Sequence, residues 1–186
     1  MRTLTVRKGG GKGNFSAGWH VLTISGARYG SGEFDGKTKK HIDVHFKDYP
    51  ENFNLRVYEQ TNKDGEEWAI GQLFRFANAG ISDAMEGPEN MVIKFDDSSE
   101  GLVGKQINVF FHKDGEYFRA LKQIAPVVFE NKVESFNEND VEYWKSRAET
   151  YYTDYVQNKT NGTTVTNGST AVPVTATATS GEELPF

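Results

Sequence analysis

Six short runs of β-branched and aromatic residues, each broken off by turn-forming residues, commit most of this chain to β-sheet. They lie at 21–28, 40–47, 53–60, 91–95, 105–112 and 117–124, with Gly, Asn, Asp and Ser between them. Successive side chains of a strand point to opposite faces. Ile42, Val44 and Phe46 therefore share a face, as do Phe53, Leu55 and Val57, and Ile107, Val109 and Phe111. These apolar faces define the expected core. Lys113-Asp114-Gly115-Glu116 separates the last two runs. Asp-Gly between alternating runs is a hairpin signal, because glycine takes the positive φ of a tight turn without steric cost. Asn62-Lys63-Asp64-Gly65-Glu66 repeats the signal after the third run, and Pro126 ends the last one.

Two segments read as helix. In 67–79, Ile70, Leu73, Phe74 and Ala77 recur at helical spacing, and Gly80 is placed to stop the helix. In 138–157, Val141, Trp144, Ala148, Tyr151 and Tyr155 form one stripe. Ser135 with Glu138, or Asn139 with Glu142, supplies a capping box. The stripe packs on the sheet, or else meets a second subunit or a partner protein. Strands, an inserted helix and a final hairpin predict a mainly β, OB-fold-like small barrel over residues 1–130. A C-terminal helix follows over 131–157. That fold commonly serves as an oligonucleotide-binding scaffold.

Composition narrows the class further. The chain has 186 residues, 37% of them hydrophobic, and no cysteine. Disulfides and thiolate metal sites are excluded, which fits a reducing cytoplasm. Met1-Arg2-Thr3-Leu4-Thr5-Val6-Arg7-Lys8 lacks an apolar run, so no signal peptide is expected. No membrane-spanning stretch is expected either. The net charge is −5, but residues 1–47 hold nine Lys/Arg against three Asp/Glu, a local excess of six. Residues 126–157 hold three against seven, a local deficit of four. Nucleic-acid binding needs a basic surface rather than a basic total.

Residues 158–179 are almost entirely Thr, Asn, Gly, Ser, Ala and Val. They carry too little large apolar surface to offset ordering entropy and are expected to be a disordered linker. Residues 180–186 then close the chain as an amphiphilic acidic tip, Ser180-Gly181-Glu182-Glu183-Leu184-Pro185-Phe186. Phe186 offers a ring and a main-chain carboxylate together, suited to an apolar pocket rimmed by Arg or Lys.

Folded domain, low-complexity linker and acidic tip ending in Pro-Phe resemble the single-stranded DNA-binding proteins of bacteria and their phages. The bacterial tip usually has three aspartates, then Ile-Pro-Phe. Here Glu182, Glu183, Leu184, Pro185 and Phe186 keep the order with fewer acids, Glu for Asp and Leu for Ile. The close match covers about six residues, and the bacterial sequence is not found in the folded part, so a phage-type member is implied. The resemblance implies a non-enzymatic protein that coats single-stranded DNA in replication, recombination or repair. It also implies recruitment of replication or recombination proteins through the tip, in the cytoplasm of the host cell. No cofactor is implied, and a homo-oligomer is compatible.

The residues for strand binding follow from alternation. Arg56 and Tyr58 point away from the apolar face of their run, as do Phe110 and His112, with Tyr117 and Arg119 together in the last run. Aromatic rings stack on any base, and cations meet phosphates. Arg7, Lys8 and Lys12 sit in a glycine-rich arm whose amides can approach phosphate. Gly11-Lys12 is followed by Gly13, so this is not a P-loop. Arg28 and Tyr29 on one side, and Lys39 and Lys40 on the other, bracket an expected loop beside the binding face.

Catalysis finds little support. On a strand rising about 3.3 Å per residue, His41 and His45 sit about 13 Å apart, too far for one zinc ion. Asp96-Asp97 and Glu66-Glu67 read as solvated turns, and no nucleophile elbow stands out. Two other functions remain in view: a virion or scaffold β-barrel with a docking tail, and a metal-dependent nuclease with scattered carboxylates. Without DNA, the acidic tip is expected to compete for the basic groove. Removing Glu182 to Phe186 should therefore tighten oligonucleotide binding in a titration at low salt; unchanged affinity would refute the competition.

Overall fold

A computed structural model describes residues 13–34, 36–87 and 91–157. The expected arm cations Arg7, Lys8 and Lys12, the linker and the tip lie outside the described residues. The folded part is mainly β, as the runs predict.

The longest strand, β1 (Gly18–Phe34), serves two partners. Its first part, through Thr23, pairs antiparallel with β6 (Gln106–Asp114). Its second part pairs with β2 (Lys37–Phe46). The register slips between Ile24 and Gly26, and this bulge bends the strand where it changes partner. β3 (Asn54–Tyr58) adds beyond β2, and β7 (Tyr117–Ala125) adds beyond β6. The order is β3-β2-β1-β6-β7. The two outer strands come back against each other without a hydrogen-bonded ladder. The Lys122 ammonium of β7 stands 5.1 Å from the centre of the Tyr58 ring of β3. The sheet is thus curled into a small, partly open barrel.

The inward faces match the alternation. Ile42, Val44 and Phe46, Leu55 and Val57, and Ile107, Val109 and Phe111 are all buried. α1 (Ala69–Phe76) follows β3 and contributes Ile70, Leu73, Phe74 and Phe76 to the same core. Its first-turn amides need partners. The Glu67 carboxylate accepts from Ile70 N at 2.8 Å and Gly71 N at 3.1 Å. Its end differs from expectation. Asn78, with φ +49°, takes the left-handed position, and Ala79 N donates to Phe74 O while Asn78 N donates to Arg75 O. This is a Schellman motif, so Asn78 rather than Gly80 stops the helix. Gly80 is needed for another reason: a Cβ there would stand 2.1 Å from the Asp96 carbonyl oxygen, at φ +67°.

Other corrections concern turns and caps. The segment expected as a loop between Arg28 and Lys40 is instead a ribbon, with β1 and β2 paired out to Phe34 and Lys37. The 113–116 hairpin forms with Gly115 and Glu116 as its two central residues and Gly115 at φ +62°, the type II′ arrangement. At 62–66, the Asn62 side chain accepts from the amides of Asp64 and Glu66, closing the predicted turn. β4 (Ile81–Glu86) was not expected; it pairs with β5 (Met91–Phe95) as a separate hairpin. β8 (Phe129–Glu130) and β9 (Ser135–Phe136) make a two-residue ladder.

α2 (Glu138–Tyr151) is capped by neither predicted box. Asn137 is the N-cap and pairs reciprocally with Asp140. A π-helical turn, Tyr152–Gln157, continues it. Of the stripe, Val141 and Ala148 are buried, and Trp144 packs edge-on to Phe76 at 4.9 Å. The helix lies on β7 and seats Val141, Trp144 and Ala148, while Tyr151 packs on Tyr155, which stays exposed. The preceding segment is tied to α1 by the Arg75–Glu134 ion pair and by Asn131 Nδ2 donating to Asn78 Oδ1 at 2.7 Å. Among the described residues no helix is long and apolar enough to cross a membrane.

Gly80→Ala combines a clash with backbone and a strained φ, so it should destabilise the fold by roughly 2 kcal/mol or more. Gly101→Ala, which meets nothing within 4 Å, should stay within about 0.5 kcal/mol of the parent. Urea melts of the two variants measure the difference.

Candidate nucleic-acid interface

The outer surface of the barrel is treated differently on its two halves. Over β6, the end of α2 covers the sheet. Phe110 lies between Trp19, at 5.4 Å, and Tyr152, at 5.3 Å, measured between ring centres. His112 is buried beside the same Tyr152, at 5.2 Å. That burial pushes its imidazole pKa down. Trp19 Nε1 donates to Glu149 of α2 at 2.7 Å. Phe110 and His112 do face away from the core, as alternation requires. They form a packed layer under the helix rather than an open stacking platform, which corrects their expected role.

Over β1, β2 and β3 the outer face carries polar rows set by register. Arg28, Asp43 and Arg56 stand in one row, and Gly30, His41 and Tyr58 in the next. Gly26, His45 and Asn54 form a third row, and Gly32 faces Lys39 beyond. Arg56 donates to both Asp43 oxygens, at 2.7 and 2.8 Å. Those bonds hold the Asp43 carboxyl below its ordinary value of 3.8, against the opposing effect of partial burial. The Arg56 guanidinium is raised by the same bonds. Arg28 is exposed, and among the described residues it makes no ion pair. The Tyr58 and His41 rings meet edge to face at 5.5 Å, and Lys122 stands over the Tyr58 ring.

The remaining predicted residues are dispersed. Tyr29 shares the face of Ile42, opposite to Arg28, and its hydroxyl donates to the Asp97 carbonyl at 2.9 Å. Burial, then the Asp97 and Glu67 charges, push this phenol up to about 12. It anchors the ribbon. Lys40 lies on that reverse side opposite Ser31, whereas Lys39 shares the outer face with Gly32. Tyr117 is 73% exposed on the β6–β7 hairpin, where Arg119 pairs with Asp114. The fold therefore brings Arg28, Arg56 and Tyr58 together, with Lys39 at the far end of the same face.

Sequence reasoning missed Lys122, Asp43 and the imidazole of His41 as members of this face. Asp43 and His41 were legible, since they alternate with Ile42 and Val44. Lys122 was not, because only closure of the barrel brings β7 beside β3. Among the described residues, no group of three or more His, Asp or Glu is placed to hold a metal ion.

The folded protein lowers the Asp43 pKa, so the Arg56 bonds stabilise the fold above the ordinary carboxyl value and are lost as pH falls through the folded one. Melting temperatures of the parent and of Asp43→Asn should therefore differ near neutrality and converge in acid. A constant gap would show that the pair contributes nothing linked to protons.

Comparison with known protein families, with curated proteins and with solved structures finds no match to this chain.

Proposed function

We propose that this chain binds single-stranded DNA without strong sequence preference, as a non-enzymatic coat in replication, recombination or repair. What supports the reading most is the outer face of β1, β2 and β3, which carries Arg28, Arg56 and Tyr58 with Lys122 over the Tyr58 ring, while α2 occupies the neighbouring face. In barrels of this order the face of the second and third strands, with its flanking hairpins, is the usual oligonucleotide platform. The flanking hairpins here carry Lys37, Lys39 and Lys40 on one side, and Lys113, Tyr117 and Arg119 on the other.

The chemistry favours an unpaired strand. A half-buried ring such as Tyr58 can stack on a base only when that base has left its own stack, as it has in single strands. The cations meet phosphates, whatever the sequence. Asp43 neutralises part of Arg56, so few full phosphate contacts remain and the affinity is moderate and salt-sensitive. The acidic tip from Glu182 to Phe186 would recruit replication or recombination proteins, in the cytoplasm of the cell where the protein acts.

Fluorescence anisotropy with labelled oligo-dT, over a salt series with and without magnesium, tests this. Binding should appear at low salt and fade as salt rises. Tyr58→Ala should weaken it by about 1–3 kcal/mol, the worth of one stacked base. Arg28→Ala should weaken it and flatten the salt dependence by about one unit of slope. Absence of binding at low salt would overturn the reading in favour of a docking barrel. Magnesium-dependent loss of the oligonucleotide would point to a nuclease.

A further inference from the structure

The outward positions of β1 on the open face read Gly26, Arg28, Gly30 and Gly32. Glycine in a strand is costly: it lacks a side chain to pack and loses more backbone entropy than any other residue. A glycine there usually serves a bulge, a turn or a close neighbour. Gly26 adjoins the bulge. Gly30 makes room for His41, whose Nε2 lies 2.7 Å from where a Cβ would stand. Gly32 has no such reason in the fold. Among the described residues a Cβ there meets nothing within 4 Å, and its φ lies outside the left-handed region. A β-branched residue would fit among them.

An independent observation marks the same trough. The His41 side chain is only 7% exposed and is laid across β1 at Gly30. Its Nε2 is 3.6 Å from Asp43, and among the described residues its Nδ1, like that of His45 on the same face, is buried without a hydrogen-bond partner. Buried polar atoms are nearly always satisfied, so an orphaned one signals a missing partner. The His41 ring borders the open trough through its Nε2 edge at Gly30.

Resting on the single-strand reading above, we propose that the bound strand runs along β1. Its path lies over the backbone of Gly32 and past the His41 ring that fills the space over Gly30, with Arg28 on a phosphate. Glycine permits the close approach that any side chain would block. The ligand of this track is the sugar–phosphate and base edge of an unpaired nucleotide.

The test uses the full chain and labelled oligo-dT at low salt, with a thermal melt of each variant. Gly32→Val should lower affinity about tenfold or more, comparable to losing one stacked base, with an unchanged or raised melting temperature. Ser31→Val, on the reverse face, should bind as the parent does. Backbone amide exchange of the parent should slow across 28–32 when the oligonucleotide is added; this reading needs no variant. If the parent binds while Gly32→Val binds equally well and 28–32 gain no protection, the track is wrong and single-strand binding stands. If the parent itself does not bind, both fall together.

Discussion

The bend in β1 at Ile24 to Gly26 is the constraint on which the rest of the molecule depends. One strand pairs with β6 before the bulge and with β2 after it. A flat strand could not feed both pairs and still bring β3 and β7 round to meet. The curl of the sheet gathers Ile42, Val44, Leu55, Ile107, Val109 and Phe111 into one core. It also divides the outside into two faces with different fates. Trp19, before the bend, belongs to the half that the C-terminal helix covers. Arg28, after it, belongs to the half that stays open.

The helix that closes the first face decides where a ligand can go. Asn137 and Asp140 start it, and Val141 and Ala148 seat it on β7. Its continuation as a π-helical turn delivers Tyr152 onto Phe110 and His112. π-helical turns are rare and displace a side chain from its ordinary helical position. Two aromatic groups that would otherwise face water thereby become a packed layer.

Much of this arrangement was legible in the sequence, and the parts that were not share a cause. The six runs, both helices and the two glycine turns follow from local periodicity and turn chemistry. β4 escaped because Ser82, Asp83 and Glu86 are poor strand formers, and its pairing with β5 overrides that preference. The ribbon at 28–40 read as a loop because Gly30, Gly32 and the lysines look like breakers in isolation. Asn78 rather than Gly80 stops α1 because a backbone hydrogen-bond pattern chose the residue. At the site, alternation put Arg56, Tyr58, Phe110 and His112 outward correctly. Alternation cannot say what lies on top of an outward residue. Tyr152 over Phe110, and Lys122 beside Tyr58, are tertiary facts.

Asp43 is an acid at the centre of the face proposed above for a polyanion. Register explains it. Arg28, Asp43 and Arg56 lie directly across from one another on three adjacent strands, where two arginines alone would repel and leave their long side chains unordered. The carboxylate between them holds the Arg56 guanidinium in a two-pronged geometry. It leaves a net single positive charge in the row. Orientation of the cation is gained, and some raw attraction for phosphate is given up. A phosphate arriving over this row must compete with Asp43 for Arg56, whereas Arg28 is open to it. Attraction to the face therefore rests on Arg28 and the surrounding lysines, and Arg56 acts chiefly as a fixed edge against which Tyr58 is held. On the single-strand proposal, a surface built this way would release its ligand readily.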